Sequence, residues 1–120
     1  MHARALHAQL SLRAGEPEEA LAAFERAAEM ARSGGELRAQ RSALRGSALA
    51  LARMGTEGGD ESKVRQAVSL LTRCLAISLE LEDYSQDATV YGDLGDLYMQ
   101  LGDMDAASDA YDRCIQRMDL

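Results

Sequence analysis

The sequence has 120 residues, with 13 Lys and Arg against 20 Asp and Glu, for a net charge of −7. Only 4% of the residues are aromatic and 47% are hydrophobic, so the core must be aliphatic and rich in alanine. This composition fits at most one domain, and it disfavours an all-β fold, whose strands favour aromatic and β-branched residues.

The acidic excess lies entirely in the second half of the chain. Residues 1–60 have eight basic and eight acidic side chains, whereas residues 61–120 have five basic and twelve acidic ones. Such a surface would repel a phosphate backbone, so nucleic-acid binding is disfavoured. The sequence has two cysteines, no secretory signal and no apolar run of membrane length. We therefore expect a soluble cytoplasmic protein that does not bind membranes.

Apolar residues at helical spacing predict helices along the whole chain. In chain order they lie near residues 2–14, 17–32, 36–54, 61–82, 85–101 and 104–118. Pro17 suits the first turn of the second helix, where Glu18 and Glu19 would face its positive N-terminus. Gly102 follows Leu101, where a left-handed residue can end a helix. No strand is needed.

The chain also repeats itself. Ala20, Ala67 and Ala107 are equivalent positions, separated by 47 and then 40 residues. Gly15, Gly55 and Gly102, in contrast, are separated by 40 and then 47 residues. The two sets of spacings are consistent if about seven extra residues, near 56–62, are inserted between Gly55 and Ala67. We therefore predict one domain of three helical hairpins, at 1–34, 35–83 with this insertion, and 84–120.

The motifs of these units resemble the tetratricopeptide repeat family. The third unit matches most closely, with Tyr91, Leu94, Gly95, Tyr98, Gly102, Asp103, Ala107, Tyr111 and Cys114. The second unit matches with Leu44, Ala48, Leu51, Gly55, Ala67, Leu71 and Cys74, and the first with Ala20, Phe24 and Ala27. The long period is similar to that of LGN-type adaptors and kinesin light chains. The resemblance implies an all-α superhelix, a solenoid of three antiparallel helix pairs whose first helices line a concave groove.

The resemblance also implies a non-catalytic module that binds a peptide or a partner segment in this groove. The candidate groove residues are Gln9, Arg13, Arg38, Arg45, Leu49, Arg53, Asp96 and Met99. The arginines could bind carboxylates while Leu49 and Met99 supply apolar contacts, so we expect an acidic peptide with apolar anchors. A solvated charged face explains the arginines about equally well. On this hypothesis, replacing Arg45 and Arg53 by alanine abolishes binding without changing the helical content.

Other functions are weighed against this one. The chain could be a self-associating unit or an internal piece of a longer scaffold, because Ile115, Met118 and Leu120 would leave an apolar end. No constellation of nucleophile and base indicates an enzyme, and no motif indicates a metal or another cofactor. Cys74 and Cys114 are expected to be free, buried thiols. The insertion could be a binding loop, although a solvated linker is favoured.

Overall fold

The computed structural model describes residues 16–118, which form five α-helices and no strand. The helices are α1 (Pro17–Ser33), α2 (Leu37–Gly58), α3 (Glu61–Leu81), α4 (Asp87–Leu101) and α5 (Met104–Met118). Helix α1 packs on α2, α2 on α3, α3 on α4, and α4 on α5. The described residues therefore form an all-α helical repeat solenoid, as the sequence predicts. The predicted helix at 2–14 lies outside the described residues.

The turns that separate the helices follow local chemistry. Pro17 begins α1, and Glu18 and Glu19 occupy its first turn, as predicted. Gly102 ends α4 in the left-handed region, with φ of 80°, and the Asp103 amide donates a hydrogen bond to the Tyr98 carbonyl. The Asp103 side chain then accepts a hydrogen bond from the Ala106 amide at the start of α5. These contacts confirm the predicted turn of the third hairpin.

The turn of the second hairpin differs from the prediction. Helix α2 does not end near residue 54 but continues to Gly58, and Gly59, with φ of 66°, ends it. Gly55 lies inside the helix, where a side chain would meet Val64 and the carbonyl of Asp60. The prediction that α2 ends near residue 54 is therefore wrong, and residues 56–58 are helical rather than a linker or a binding loop. Most of the extra residues lengthen α2 and α3 instead, because Gly59 can adopt the left-handed conformation and Asp60 caps α3.

One continuous core joins α2, α3, α4 and α5. The buried residues that share it are Leu44, Ala48, Leu51, Val64, Ala67, Leu71, Cys74, Ile77, Val90, Leu94, Leu97 and Ala110. Two close helix contacts depend on glycine: a Cβ atom at Gly46 would lie 2.3 Å from the Phe24 ring, and one at Gly95 would lie 2.4 Å from the Tyr111 ring. These contacts set α1 against α2 and α4 against α5.

Candidate functional site

Helices α2 and α4, the first helices of the second and third hairpins, are joined by two cross-helix contacts. Arg45 Nε donates to Asp93 Oδ2 over 3.1 Å. Near the other end of the pair, Gln100 Nε2 donates to Thr56 Oγ1 over 2.8 Å. We call the surface along this line the α2–α4 face. The predicted groove residues that we assign to it are Arg38, Arg45, Leu49, Arg53, Asp96 and Met99. The predicted residues Gln9 and Arg13 lie outside the described residues.

Arg38 lies at the beginning of this face, beside an open groove. The groove has a volume of about 680 Å³ and is formed by the start of α2, the residues before it and Leu81. The Arg38 side chain is 64% exposed, and its guanidinium pairs with the Asp83 carboxylate. Asp83 does not depend on Arg38 alone, because Arg41 NH2 also donates to Asp83 Oδ2 over 2.9 Å. Arg38 can therefore move away from Asp83 to bind a partner, because Arg41 still pairs with the Asp83 carboxylate.

Arg41 is a buried cation that the sequence analysis missed. Its NH1 group donates to Ser78 Oγ over 2.9 Å and to the Asp83 carbonyl over 2.8 Å. Hydrogen bonds from Arg38, Ser85 and Arg41 hold the pKa of Asp83 well below its usual range. A signal for this role is present in the sequence. Arg41 precedes Leu44 by three residues and Ala48 by seven, so it lies on the apolar stripe of the helix rather than on its solvent side.

The charge on the middle of the face is paired within the chain. Arg45 is bound to Asp93, whose pKa is raised because burial outweighs the favourable effect of Arg45. Arg53 Nε donates to Glu57 Oε1 over 3.1 Å on the same helix. Arg45 on α2 and Asp93 on α4 therefore form an ion pair within the chain. A partner carboxylate at Arg45 would have to compete with a half-buried acid of the protein itself.

The remaining predicted residues give the face its mixed character. Asp96 accepts a hydrogen bond of 2.6 Å from the Tyr111 hydroxyl, which raises the pKa of that tyrosine. Leu49 is half-buried, and Met99 is exposed over almost half of its surface. The face thus combines one available guanidinium with apolar side chains.

The two cysteines are both free thiols but differ in environment. Cys74 is buried, and its Sγ donates to the Arg41 carbonyl over 3.5 Å. Burial raises the pKa of the Cys74 thiol to about 11. Cys114 is only half-buried, so the prediction that it is a buried thiol is wrong. In the described part of the chain, no cluster of three His, Cys, Asp or Glu side chains is arranged to hold a metal ion. No helix among residues 16–118 has the length and apolar character needed to cross a membrane.

Comparison with known proteins gives three matches. The family model described as tetratricopeptide repeat matches residues 88–117. The Arabidopsis thaliana protein FLUORESCENT IN BLUE LIGHT, chloroplastic, is 34% identical over 108 residues, which cover 90% of this chain and 32% of that protein. The chain therefore spans about a third of the length of this curated relative. The crystal structure of the TPR domain of Arabidopsis FLU is similar at 32% identity with a TM-score of 0.89, covering 98% of this chain and 92% of that one.

Proposed function

From the premise that the chain belongs to the tetratricopeptide repeat family, and is thus a protein–protein interaction module, we propose that it binds an acidic partner segment on the α2–α4 face. Tetratricopeptide domains are generally non-catalytic, and no enzyme family is indicated. The observation that carries the proposal is the state of Arg38. Its guanidinium is largely exposed, borders a groove, and shares Asp83 with a second arginine that stays in place.

The partner segment places an acidic side chain against Arg38 and apolar side chains against Leu49 and Met99. Arg38 gains a charge-assisted hydrogen bond, while Asp83 retains Arg41. Arg45 and Arg53 lie along the same face, but both are already paired with acids of the chain. They position the face more than they attract the partner. Asp96, Gln9 and Arg13 complete the proposed contact set, the last two lying outside the described residues.

Peptide selection tests this proposal. Random peptides displayed on phage are selected on the immobilised full chain, and the selected sequences are synthesised and measured by fluorescence anisotropy. We expect acidic residues in the selected peptides and a loss of affinity of at least about tenfold, equivalent to about 1.4 kcal/mol, for Arg38→Glu. Leu49→Ala with Met99→Ala should also weaken binding.

A matched control is available on α3. Arg65 is 64% exposed, as Arg38 is, and it too pairs with an acid, Glu61. Arg65→Glu makes the same change of charge away from the face and should leave peptide affinity unchanged. Equal losses for the two variants would show only general charge attraction and would contradict the proposal. So would selected peptides without acidic residues.

Arg45 needs a different expectation from Arg38. Removing its side chain leaves the half-buried Asp93 without its counter-ion, so Arg45→Ala should lower the free energy of unfolding as well as affinity. The double variant that lacks Arg45 and Arg53 therefore tests stability together with binding. For that reason Arg38→Glu is the sharper test.

Self-association is a second candidate, supported by exposed apolar side chains on α5. Ile115 and Met118 are 60% and 70% exposed on this helix. Leu120 lies outside the described residues. A second copy or a further repeat would cover these side chains. Sedimentation at several concentrations should then show a dimer that Ile115→Glu with Met118→Glu abolishes; a monomer at all concentrations would contradict self-association.

The cellular location stays a prediction. The sequence alone predicts a cytoplasmic protein, whereas the curated relative is chloroplastic by name. A fluorescent fusion of the full-length protein would decide between the two locations.

A further inference from the structure

A pocket lies between α1 and α3, with its floor on α2. We call it the α1–α3 pocket. It has a volume of about 260 Å³, and its apolar wall and floor are formed by Leu21, Ala28, Leu44, Leu51 and Leu70 together with Ser47. Leu44, Ser47 and Leu51 project from a different side of α2 than Arg38, Arg45 and Leu49. The pocket is therefore separate from the α2–α4 face, and an inference drawn from it does not depend on the function proposed for that face.

The third repeat shows what fills the equivalent positions. Counting 47 residues on from Leu44, Ser47 and Leu51 gives Tyr91, Leu94 and Tyr98. Tyr91 and Tyr98 pack against the continuous core, and Leu94 is buried within it. In the second repeat each of the three side chains is smaller. The smaller side chains of the second repeat line the α1–α3 pocket, where the third repeat has two tyrosines and a leucine.

On the floor of this pocket, Ser47 places a hydroxyl group that lacks a hydrogen-bond partner among the described residues. Its side chain is among the lining residues, and the residue is only 2% exposed. Its Oγ atom has no hydrogen-bond partner within residues 16–118. Buried hydroxyl groups are normally hydrogen-bonded, because an unmade bond in a dry site is costly. A polar tip that enters the pocket would supply the missing partner.

The size and the rim restrict the occupant further. Small-molecule sites usually occupy about 300–1,000 Å³, so this pocket suits a single large side chain better than a cofactor. Glu25 on α1 and Arg73 on α3 are among its lining residues; both are exposed, and neither makes a salt bridge within the described part of the chain. Opposite charges on the two walls complement a segment that carries a basic and an acidic residue around its anchor.

We propose that the α1–α3 pocket binds a tyrosine side chain of a partner protein, with the phenol hydroxyl hydrogen-bonded to Ser47 and flanking charges opposite Glu25 and Arg73. The phenol takes the place that Tyr91 and Tyr98 occupy in the third repeat. Binding at this pocket would leave the α2–α4 face open, so the module could hold two segments at once.

The side-chain analogues p-cresol and toluene test the proposal directly. Each is titrated into the isotope-labelled full chain and followed by amide chemical shifts in NMR spectra. We expect p-cresol to shift the amides around Ser47, Leu44 and Leu70, and to bind several-fold more tightly than toluene, which lacks the hydroxyl. Ser47→Leu fills the pocket as the third repeat does and should weaken p-cresol at least tenfold.

The control variant is Ser42→Leu, the same change at an exposed serine on the same helix, which should leave p-cresol binding intact. If Ser47→Leu fails to fold by circular dichroism, Ser47→Ala carries the test, because it should remove the preference for p-cresol over toluene. Equal affinities of the two analogues for the native chain would overturn the proposal, as would shifts confined to the α2–α4 face. Concentration-dependent shifts at the pocket without any analogue would identify a second copy as the occupant and also overturn it.

Discussion

Helices α3 and α5 are equivalent elements of two repeats, yet residues at equivalent positions are buried to different extents. Leu71, Cys74 and Ser78 on α3 are fully buried. The residues 40 positions further on are Tyr111 and Cys114, which are half-buried, and Met118, which is 70% exposed. Helix α3 lies between α2 and α4, whereas α5 packs chiefly on α4. In a repeat protein, the burial of a side chain thus depends on the neighbouring helices as much as on its position in the repeat.

The largest expected effect of this difference is on stability. Leu71→Ala opens a cavity in a fully covered helix and should lower the free energy of unfolding by about 2–5 kcal/mol. Ile115→Ala, on the open face of α5, should change it by less than about 0.5 kcal/mol. Urea denaturation followed by circular dichroism measures both. Similar losses for the two variants would mean that α5 is also covered in solution.

The second effect is on thiol reactivity. Cys74 is buried with a pKa of about 11, whereas Cys114 is half-buried at the equivalent position. In single-cysteine variants at pH 8, Cys74 should be alkylated at least about 100-fold more slowly than Cys114. The thiolate is the reactive form, and the raised pKa of Cys74 leaves little of it at this pH. Mass spectrometry gives the two rates. Both should become fast and nearly equal in denaturant; rates within a few-fold of each other in the folded chain would contradict the burial described.

The smallest effect is on the pH dependence of stability, which should have opposite signs for Asp83 and Asp93. The pKa of Asp83 is lowered by its hydrogen bonds, so its contribution to stability is complete above the unfolded-state pKa and is lost as pH falls through the folded value. The pKa of Asp93 is raised by burial, so its protonated form favours folding, and this contribution is lost as pH rises through the folded value.

The variants Asp83→Asn and Asp93→Asn test these signs. Relative to the native chain, Asp83→Asn should be destabilised most near neutral pH and converge with it in acid. Asp93→Asn should instead gain relative stability as pH rises from acid. Urea denaturation across pH 2–7 gives both curves, and parallel curves for the two variants would contradict the opposite shifts.

The sequence predicts the third hairpin better than the second, for a physical reason. Gly102 is followed at once by the cap residue Asp103, so local chemistry identifies that turn. In the second hairpin Gly55 and Gly59 are only four residues apart, and both could end a helix. Contact of Gly55 with Val64 across the hairpin selects Gly59 as the turn. That contact depends on tertiary packing, which periodicity does not reveal.

At the candidate site, too, the sequence predicts local features but not the contacts made by tertiary packing. The helical spacing correctly places Arg38 and Arg45 on α2, but their acids are 45 and 48 residues away in the chain. A charge on a helix is therefore easily interpreted as free for a partner when it is already bound. The smaller side chains at Leu44, Ser47 and Leu51 follow from the register of the repeats, but their position in a pocket between α1 and α3 depends on how the helices pack.

The Arg41 guanidinium has a consequence for how the protein melts. Solenoids whose repeats contact only their neighbours can unfold one repeat at a time. Here a single buried cation is held by Ser78 at the end of α3 and by Asp83 in the connection to α4. Separating α3 from α2 would remove these acceptors and leave the buried charge without a partner. The two helices of the second hairpin should therefore lose their structure together, in one thermal transition.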